Sequence, residues 1–570
     1  MNDNGNSTTT ISEATSRNWR RLHSNGSGRL MSRANKQLST KTILPVEYFS
    51  NKENVADIQC FVTFCKEKNY KVEDVLFSVG VELLKKTGIY EKPHVAAVLD
   101  SVKNSEFSVS LSLPPLPTDE HDILGLLYQC FLLEGEKNRK GSYYTPFEVA
   151  RNMTKGLDFS KGQTFFDPCC GSGAFILSLE GASPNQIFGC DNDPIAVMIA
   201  KINLLLKYKT EVFEPQIIYC DYLKQNFNYK FDYIISNPPW GAVIFDEKNN
   251  PISTKESFSF FFEKAFNQLE DDGTIRFLLP ESILNVKTHK NFRKFLLDNT
   301  DIQSITKYPG TFSGVQTKYI DIESKRTRHA LSPQNFIIEN NFTSSWDKAC
   351  LIHKIKKSSF YLTKNLNFNL LSDSDLEKVQ KILEKGRYTL KDSIWALGVI
   401  TGDNKNKVKN SQGRGMEPIY TGREIEAYML KKPRHFIKYK RTDYQQVAKD
   451  EIYRADEKLV YKFISKNLVF AYDDTKSLFL NSANILIPRI PGMSIKTVLA
   501  FLNSELFKFL YKSLFGEIKI LKGNLMELPF PEIAPETDKK LSKLVDDVLK
   551  GNQSAIKAID DIIFDVFEIK

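Results

Sequence analysis

Asn237-Pro238-Pro239-Trp240 closes a short apolar run, Phe231-Asp-Tyr-Ile-Ile-Ser236. Such a run reads as a buried strand, so the four residues form a rigid, amide-bearing corner at its end. An amino group on an aromatic ring is a poor nucleophile, because its lone pair is delocalised into the ring. The side-chain oxygen of Asn237 and the backbone carbonyl of Pro238 are suited to accept hydrogen bonds from the two N–H groups of such an amine. Pro238 and Pro239 fix φ and hold the acceptors still, which is electrostatic preorganisation. Trp240 offers a flat face on which the same ring can stack. No titrating base is needed if the proton leaves after the new bond forms. Taken alone, the corner also reads as a proline turn beside a core tryptophan.

A second signature lies upstream, Phe166-Asp167-Pro-Cys169-Cys-Gly171-Ser-Gly173-Ala-Phe175. Its glycines allow a tight turn and close approach of backbone to a ligand. A strand before it and a helix after it favour a bound anion or carboxylate. About twenty residues on, the next strand ends at Asp191, the position of an acid that grips ribose hydroxyls. Asp221 ends the strand after that, where it suits an adenine amino group, with Tyr222 stacking nearby. The loop lacks Gly-Lys-Ser/Thr, which argues against a nucleotide triphosphatase.

The elements that must position these residues alternate. From Gly141 to about Glu323, strands at 164–166, 186–190, 216–220, 233–235 and 273–279 interleave with helical stretches that include 257–269. Alternation of this kind predicts an α/β, doubly wound, mostly parallel sheet buried on both faces, with ligands at the carboxyl ends of the strands. Both signatures fall there. Residues 1–40 read as a disordered polar tail. Residues 41–119 read as a small helical domain, and a proline-rich break at 111–117 precedes a helix over 120–136. Residues 120–330 form the α/β domain, 331–384 a helical connection, and 385–570 a mixed α+β domain with helices at 498–511 and 538–567.

The chain has 570 residues, 41% of them apolar and 26% charged, which fits a soluble protein of three or four units at roughly 150 residues each. No apolar stretch approaches the ~20 residues that span a bilayer, and the N-terminus lacks the apolar block of a secretory signal. The eight cysteines form no spaced framework, so reduced thiols in the cytoplasm are expected. The seven histidines are scattered and no metal site is expected. A net charge of +9 favours contact with a polyanion. The run Lys431-Lys432-Pro-Arg434-His-Phe-Ile-Lys438-Tyr-Lys440-Arg441 interleaves cations with aromatics, as a surface that neutralises phosphates would, although a solvated lysine-rich loop has the same composition.

At this point the chain resembles the adenine-N6 DNA methyltransferases of restriction–modification systems, in the group whose cofactor motifs precede the catalytic motif. Lys140-Gly-Ser-Tyr-Tyr144-Thr145-Pro146 is similar to that group's opening motif, whose Tyr-Thr-Pro closes over the methionine end of S-adenosylmethionine. The resemblance implies a Rossmann-like methyltransferase domain in which Asp167, Cys169, Gly171, Gly173, Asp191, Asn192, Asp221 and Tyr222 join Tyr144, Thr145 and Pro146 in holding S-adenosylmethionine. Asn237, Pro238, Pro239 and Trp240 match its catalytic motif, with Trp where Tyr or Phe is commoner. Ser257–Phe262 and Pro280-Glu-Ser282 fit later, looser motifs. Phe312, in Gly310-Thr-Phe-Ser-Gly314, corresponds to an aromatic that lines the target-base pocket with Trp240. Residues 398–402, 420–425, 502–504 and 528–531 resemble a TaqI-like specificity domain. In it Lys431, Lys432, Arg434, Lys438, Lys440 and Arg441 would contact DNA.

The resemblance thus implies site-specific methylation of adenine N6 in double-stranded DNA, with the base flipped into the pocket. A cognate endonuclease or specificity subunit would be its partner, and no membrane. The rival readings are amino-group methylation of cytosine N4, an RNA base or a protein glutamine, and a catalytically silent DNA-binding defence subunit. Residues 43–118 show no acidic-plus-lysine cluster of the kind a fused nuclease needs.

Overall fold

The computed structural model describes residues 48–102, 111–117, 119–132, 144–240, 256–309, 318–326, 336–342, 349–516 and 519–569. They fall into two units, one ending at Leu370 and one running from Leu371. The tail at 1–40 lies outside the described residues. Among the described residues no helix is long and apolar enough to cross a membrane.

In the first unit the strands are β1 (Phe165–Asp167), β2 (Ile187–Asp191), β3 (Gln216–Tyr219), β4 (Phe231–Ser236), β5 (Leu269–Pro280), β6 (Thr300–Lys307), β7 (Tyr319–Arg326), β8 (Phe336–Phe342) and β9 (Ala349–Lys356). They make one nine-stranded sheet in the order β3-β2-β1-β4-β5-β7-β6-β8-β9. From β3 to β5 every pairing is parallel. The order reverses about β1, between β2 and β4, which is where a doubly wound sheet opens a crevice. From β5 onward the sheet is mixed: β7 is antiparallel to both β5 and β6, and β8 to β9. Parallel pairings, the expected majority, run unbroken only through the half that carries the motifs, and β6 with β8 is the one parallel pairing beyond it among the described residues. Residues 331–384, expected to form a helical connection, supply β8 and β9 to the sheet.

Helices α1 (Val55–Glu67), α2 (Val72–Lys86), α3 (Pro93–Val102), α4 (Ile123–Phe131), α5 (Phe147–Thr154), α6 (Ala174–Ser178) and α7 (Pro194–Lys207) bury their apolar faces in one core. That core also contains Phe165, Ile187 and Ile235 from the sheet. The N-terminal helices are thus one layer of the α/β unit rather than the separate small domain expected from the sequence. The reason is their fit to α7: Gly80 lets α2 approach so closely that a Cβ there would lie 2.8 Å from the Ile202 side chain. Burial of each large apolar side chain contributes roughly 1.5–3 kcal/mol, so a helix with several such residues is held to the sheet and not to itself. On the other sheet face, α8 (Ser257–Asn267) and α9 (Lys290–Asn299) pack Phe258, Phe262 and Phe292 against Phe166, Ile234 and Phe277.

The second unit holds β10 (Ile394–Leu397), β11 (Val408–Lys409), β12 (Glu417–Tyr420), β13 (His435–Ile437), β14 (Lys458–Lys462), β15 (Phe470–Asp473), β16 (Leu478–Phe479) and β17 (Ala483–Ile487). They form two four-stranded sheets, β10-β17-β14-β15 and β11-β13-β12-β16. Its helices include α10 (Asp373–Lys385), α11 (Ile495–Asn503), α12 (Glu505–Phe515), α13 (Pro535–Leu549) and α14 (Ala555–Phe567). The helix expected over 498–511 is two helices. Ser504 breaks it, leaving the helical region at ψ 153° and accepting the Phe507 N–H on its Oγ at 3.2 Å as the cap of α12. Gly551, at φ +99°, likewise divides the stretch expected over 538–567.

Candidate active site

Three adjacent parallel strands end side by side. Asp167 closes β1, Asp191 closes β2, and Ser236 closes β4 with Asn237 following. The register places Asp167 level with Gly189, and Phe166 with Ile234. Ser236 therefore reaches across to donate from Oγ to Asp167 Oδ1 at 2.7 Å. The Cys169 N–H donates to the same oxygen at 3.0 Å. Asp167 is fully buried, and its Oδ2 has no hydrogen-bond partner. Burial pushes its carboxyl up to about 7 despite the two donors.

Asp191 is held by two backbone amides. Gly171 N–H donates to Oδ2 at 2.9 Å and Asp193 N–H to Oδ1 at 3.0 Å. Burial raises this carboxyl to about 6, with the amides acting against the shift. Gly171 and Gly173 take φ of +52° and +94°, so the turn requires glycine at both positions. A Cβ on Gly171 would also lie 3.0 Å from the Tyr144 ring. Tyr144 is buried against the glycine turn, and its Oη is unpartnered. Burial first, and then the Tyr128, Asp191, Asp193 and Asp122 side chains, keep that phenol well above its ordinary pKa.

Thr145 joins this loop to the Asn237 corner: Asn237 Nδ2 donates to Thr145 Oγ1 at 3.3 Å. Pro146 caps α5. Trp240 is half-buried, and its indole N–H donates to the Leu278 carbonyl on β5 at 3.1 Å. Ser257 Oγ, at the start of α8, donates to the Pro239 carbonyl. The corner is thus pinned from three sides, by Thr145, by β5 and by α8.

One expected residue stands elsewhere. Tyr222, expected to stack beside a cofactor, is a core residue on the far layer. It is 2% exposed, its ring packs against Phe166, Phe227 and Phe261, and its Oη donates to Gln268 at 2.5 Å. Asp221 is exposed and paired with Lys224 at 2.8 Å, one helical turn on, and with the Leu223 N–H. Asn192 is exposed and Cys169 half-buried at the same rim. Phe312 lies outside the described residues.

Other residues of this site went unread in the sequence. Asp122, the cap of α4, accepts from Gly125 N–H at 2.8 Å, from Ser172 Oγ at 2.5 Å and from Asn203 Nδ2 at 2.9 Å. Asn203 also donates to the Ser172 carbonyl at 2.9 Å. Six residues along the same helix, Tyr128 Oη donates to Asp193 Oδ2 at 2.6 Å. One helix therefore grips both the glycine turn and the turn that holds Asp191. The signal available was an Asp before an apolar helical run, which marks a cap and nothing more.

In the second unit the cations of the basic run are all exposed. Lys431 pairs with Glu426 at 2.5 Å, Lys440 with Asp443 at 3.9 Å and Arg441 with Asp450 at 3.4 Å. For Lys432, Arg434 and Lys438 there is no ion partner among the described residues.

Residues 119–341 match the N-6 DNA Methylase family, and residues 417–530 match the TaqI-like C-terminal specificity domain. The Type II methyltransferase M.VspI of Vibrio sp. (strain 343) is 30% identical over 312 residues, 52% of this chain and 74% of that protein. The Type I restriction enzyme EcoEI methylase subunit of Escherichia coli is 26% identical over 252 residues, 40% of this chain and 48% of that protein. Among solved structures, the Type IIL restriction-modification enzyme MmeI in complex with DNA has a TM-score of 0.61 at 14% identity, over 91% of this chain and 96% of that one. The DrdV–DNA complex has a TM-score of 0.55 at 13% identity, over 88% of this chain and 69% of that one. These two structures share the fold. The chain belongs to the N-6 DNA methylase family, the adenine methyltransferases of restriction–modification systems, and carries a TaqI-like C-terminal specificity domain.

Proposed function

We propose that the chain transfers a methyl group from S-adenosylmethionine to N6 of adenine at a specific site in double-stranded DNA. The observation that carries this reading is the tie from Asn237 to Thr145, which sets the amide-bearing corner of β4 beside the glycine turn and its two carboxylates.

The residues fit the cofactor. Gly171 and Gly173 supply the left-handed backbone of the turn, where a Cβ on Gly171 would press on the Tyr144 ring. Asp191 keeps one amide on each oxygen and has further lone pairs for ribose hydroxyls. Asp167 Oδ2 and Tyr144 Oη are buried polar atoms without partners, and a polar ligand group would satisfy them. Asp221 and Asn192 would complete the rim, Asp221 by exchanging Lys224 for an adenine amino group. S-adenosylmethionine, when bound, supplies a methyl group on a sulfonium.

The chain supplies position and polarisation. Asn237 Oδ1 is the acceptor for one N–H of the target amine, while its Nδ2 donates to Thr145. The Pro238 carbonyl accepts the other. Both acceptors draw electron density onto the nitrogen, and the two prolines spare the cost of reorganising them. Trp240, fixed through Leu278, gives the target ring a face to stack on. An adenine amino group is paired and stacked within a duplex, so the base must turn out of the helix to meet this corner. Exposed cations of the second unit, Lys432, Arg434 and Lys438 foremost, hold phosphates. The names of its relatives, one of them a subunit of a restriction enzyme, support a place in restriction–modification; we place the chain in the cytoplasm with the DNA, beside a nuclease or specificity subunit.

Single-molecule sequencing of DNA from cells that express the chain tests the reading. N6-methyladenine at one short motif is expected. Unmodified DNA, or methylation on cytosine N4, overturns it.

A further inference from the structure

Cations on a surface attract phosphates, but sequence is read by groups that match base edges. Such groups stand on the same small sheet as the basic run. Residues 402–415 lead into β12, and all of their side chains are exposed except Lys407 and Val408, which are half-buried. Their strand, β11, is the sheet edge and pairs antiparallel with β13, Val408 opposite Ile437 and Lys409 opposite Phe436. One residue on, Asn410 Oδ1 lies 3.0 Å from His435 Nδ1. That contact ties Asn410 to the first residue of β13, next in sequence to Arg434.

Beyond Ser411 the chain turns back through Gln412-Gly413-Arg414-Gly415. The turn is closed, with Met416 N–H donating to the Gly413 carbonyl at 3.1 Å and Gly415 at φ +70°. The Met416 sulfur supports it, 3.2 Å from where a Cβ on Gly413 would sit. Gln412 and Arg414 flank Gly413 on this defined turn, and both are exposed. The other amides of the segment are engaged locally: Asn404 Oδ1 accepts from Thr401 Oγ1 at 2.5 Å, and Asn406 Nδ2 donates to Asp403 at 2.6 Å. Among the described residues no such bond engages the Gln412 amide or the Arg414 guanidinium. A carboxamide matches the N6 and N7 edge of adenine, and a guanidinium matches O6 and N7 of guanine.

We propose that Gln412 and Arg414 read base edges in the DNA major groove, Gln412 an adenine and Arg414 a guanine, while the neighbouring strand β13 and its flanks hold the phosphates. This rests on the reading that the chain methylates adenine in duplex DNA.

Three variants of the full chain, Gln412→Ala, Arg414→Ala and Lys432→Ala, separate base reading from charge. Each is expressed in cells without other DNA methylation, and genomic DNA is read by single-molecule sequencing. Gln412→Ala and Arg414→Ala still yield N6-methyladenine, but each motif becomes degenerate at one position. Discrimination there falls roughly 5- to 150-fold, at a guanine for Arg414 and an adenine for Gln412. Lys432→Ala lowers the extent of methylation at every site and leaves the motif intact. If the wild-type motif persists unchanged in both tip variants, the inference is overturned and the methylation reading stands. If the wild-type chain leaves DNA unmodified, the methylation reading fails and the inference with it.

Discussion

Asp167 is fully buried and held by two donors, whereas Lys438 is exposed with no ion partner among the described residues. The pair stands for two regions that, on the proposed function, would meet their ligands differently. At the strand ends of the methyltransferase unit, the side chains are fixed by hydrogen bonds to neighbouring strands, turns and helices. A reacting centre demands this, because small misplacements of a catalytic group are costly. On the basic face of the specificity unit, charge lies on long, solvated side chains. A phosphate backbone tolerates this, because counterion release depends on how many phosphates are neutralised. The comparison teaches where single substitutions will hurt: steeply and separately in the first region, shallowly and cumulatively in the second.

The largest effect belongs to Asn237. Asn237→Ala is expected to lower turnover by at least about 10²–10³-fold while cofactor affinity, measured by calorimetry, stays near wild type. Loss of both together would make Asn237 a support for the cofactor turn and erase its separate role. Asp191→Ala removes an ionised acceptor and is expected to weaken cofactor binding by roughly 1.5–3 kcal/mol, with turnover at saturation less affected. Acid should mimic it. The carboxyl of Asp191 sits near 6, so cofactor affinity should fall as pH drops below about 6, up to about tenfold per unit. For folding the sign is opposite. Asp167 and Asp191 are both raised, so the stability from holding their protons is complete below about pH 4 and is lost as pH rises through about 6 to 7. A flat affinity profile from pH 7.5 to 5 would remove Asp191 from the cofactor.

Smaller effects sharpen the contrast. Tyr128→Phe deletes one hydroxyl that grips Asp193, and should cost cofactor binding about 1 kcal/mol, with the melting temperature little changed. An equal loss of stability and affinity would make α4 mere scaffold. Smallest of all, Lys432→Ala and Lys438→Ala should each weaken DNA binding only a few-fold, and each should reduce the slope of log K against log salt by about 0.9. If either substitution abolished binding, the basic face would be a structured site like the strand ends.

What was legible in the sequence follows the same division. The strand-end motifs are local: an apolar run, then Asp or Asn, then glycine or proline. Their chemistry is visible because strand and turn lie within ten residues of each other. Asp122, Tyr128 and Asn203 were not visible, because they act on partners 50, 65 and 31 residues away. Tyr222 looked like a ligand contact because it follows Asp221, but its hydroxyl is claimed by Gln268 and its ring by three phenylalanines. β8 and β9 escaped notice because Phe336–Phe342 and Ala349–Lys356 mix apolar with charged and amide residues, as the outermost strands of a mixed sheet do. The N-terminal helices were recognised as helices but not as part of the α/β core, since a helical stripe does not say what covers it.

The most direct measurement is nucleoside mass spectrometry of duplex DNA incubated with S-adenosylmethionine and purified chain, wild type beside Asn237→Ala. The account predicts N6-methyladenine from the wild type and none above background from the variant, with both proteins binding the cofactor. N6-methyladenine from the variant at a comparable level, or methylated cytosine from the wild type, would contradict it.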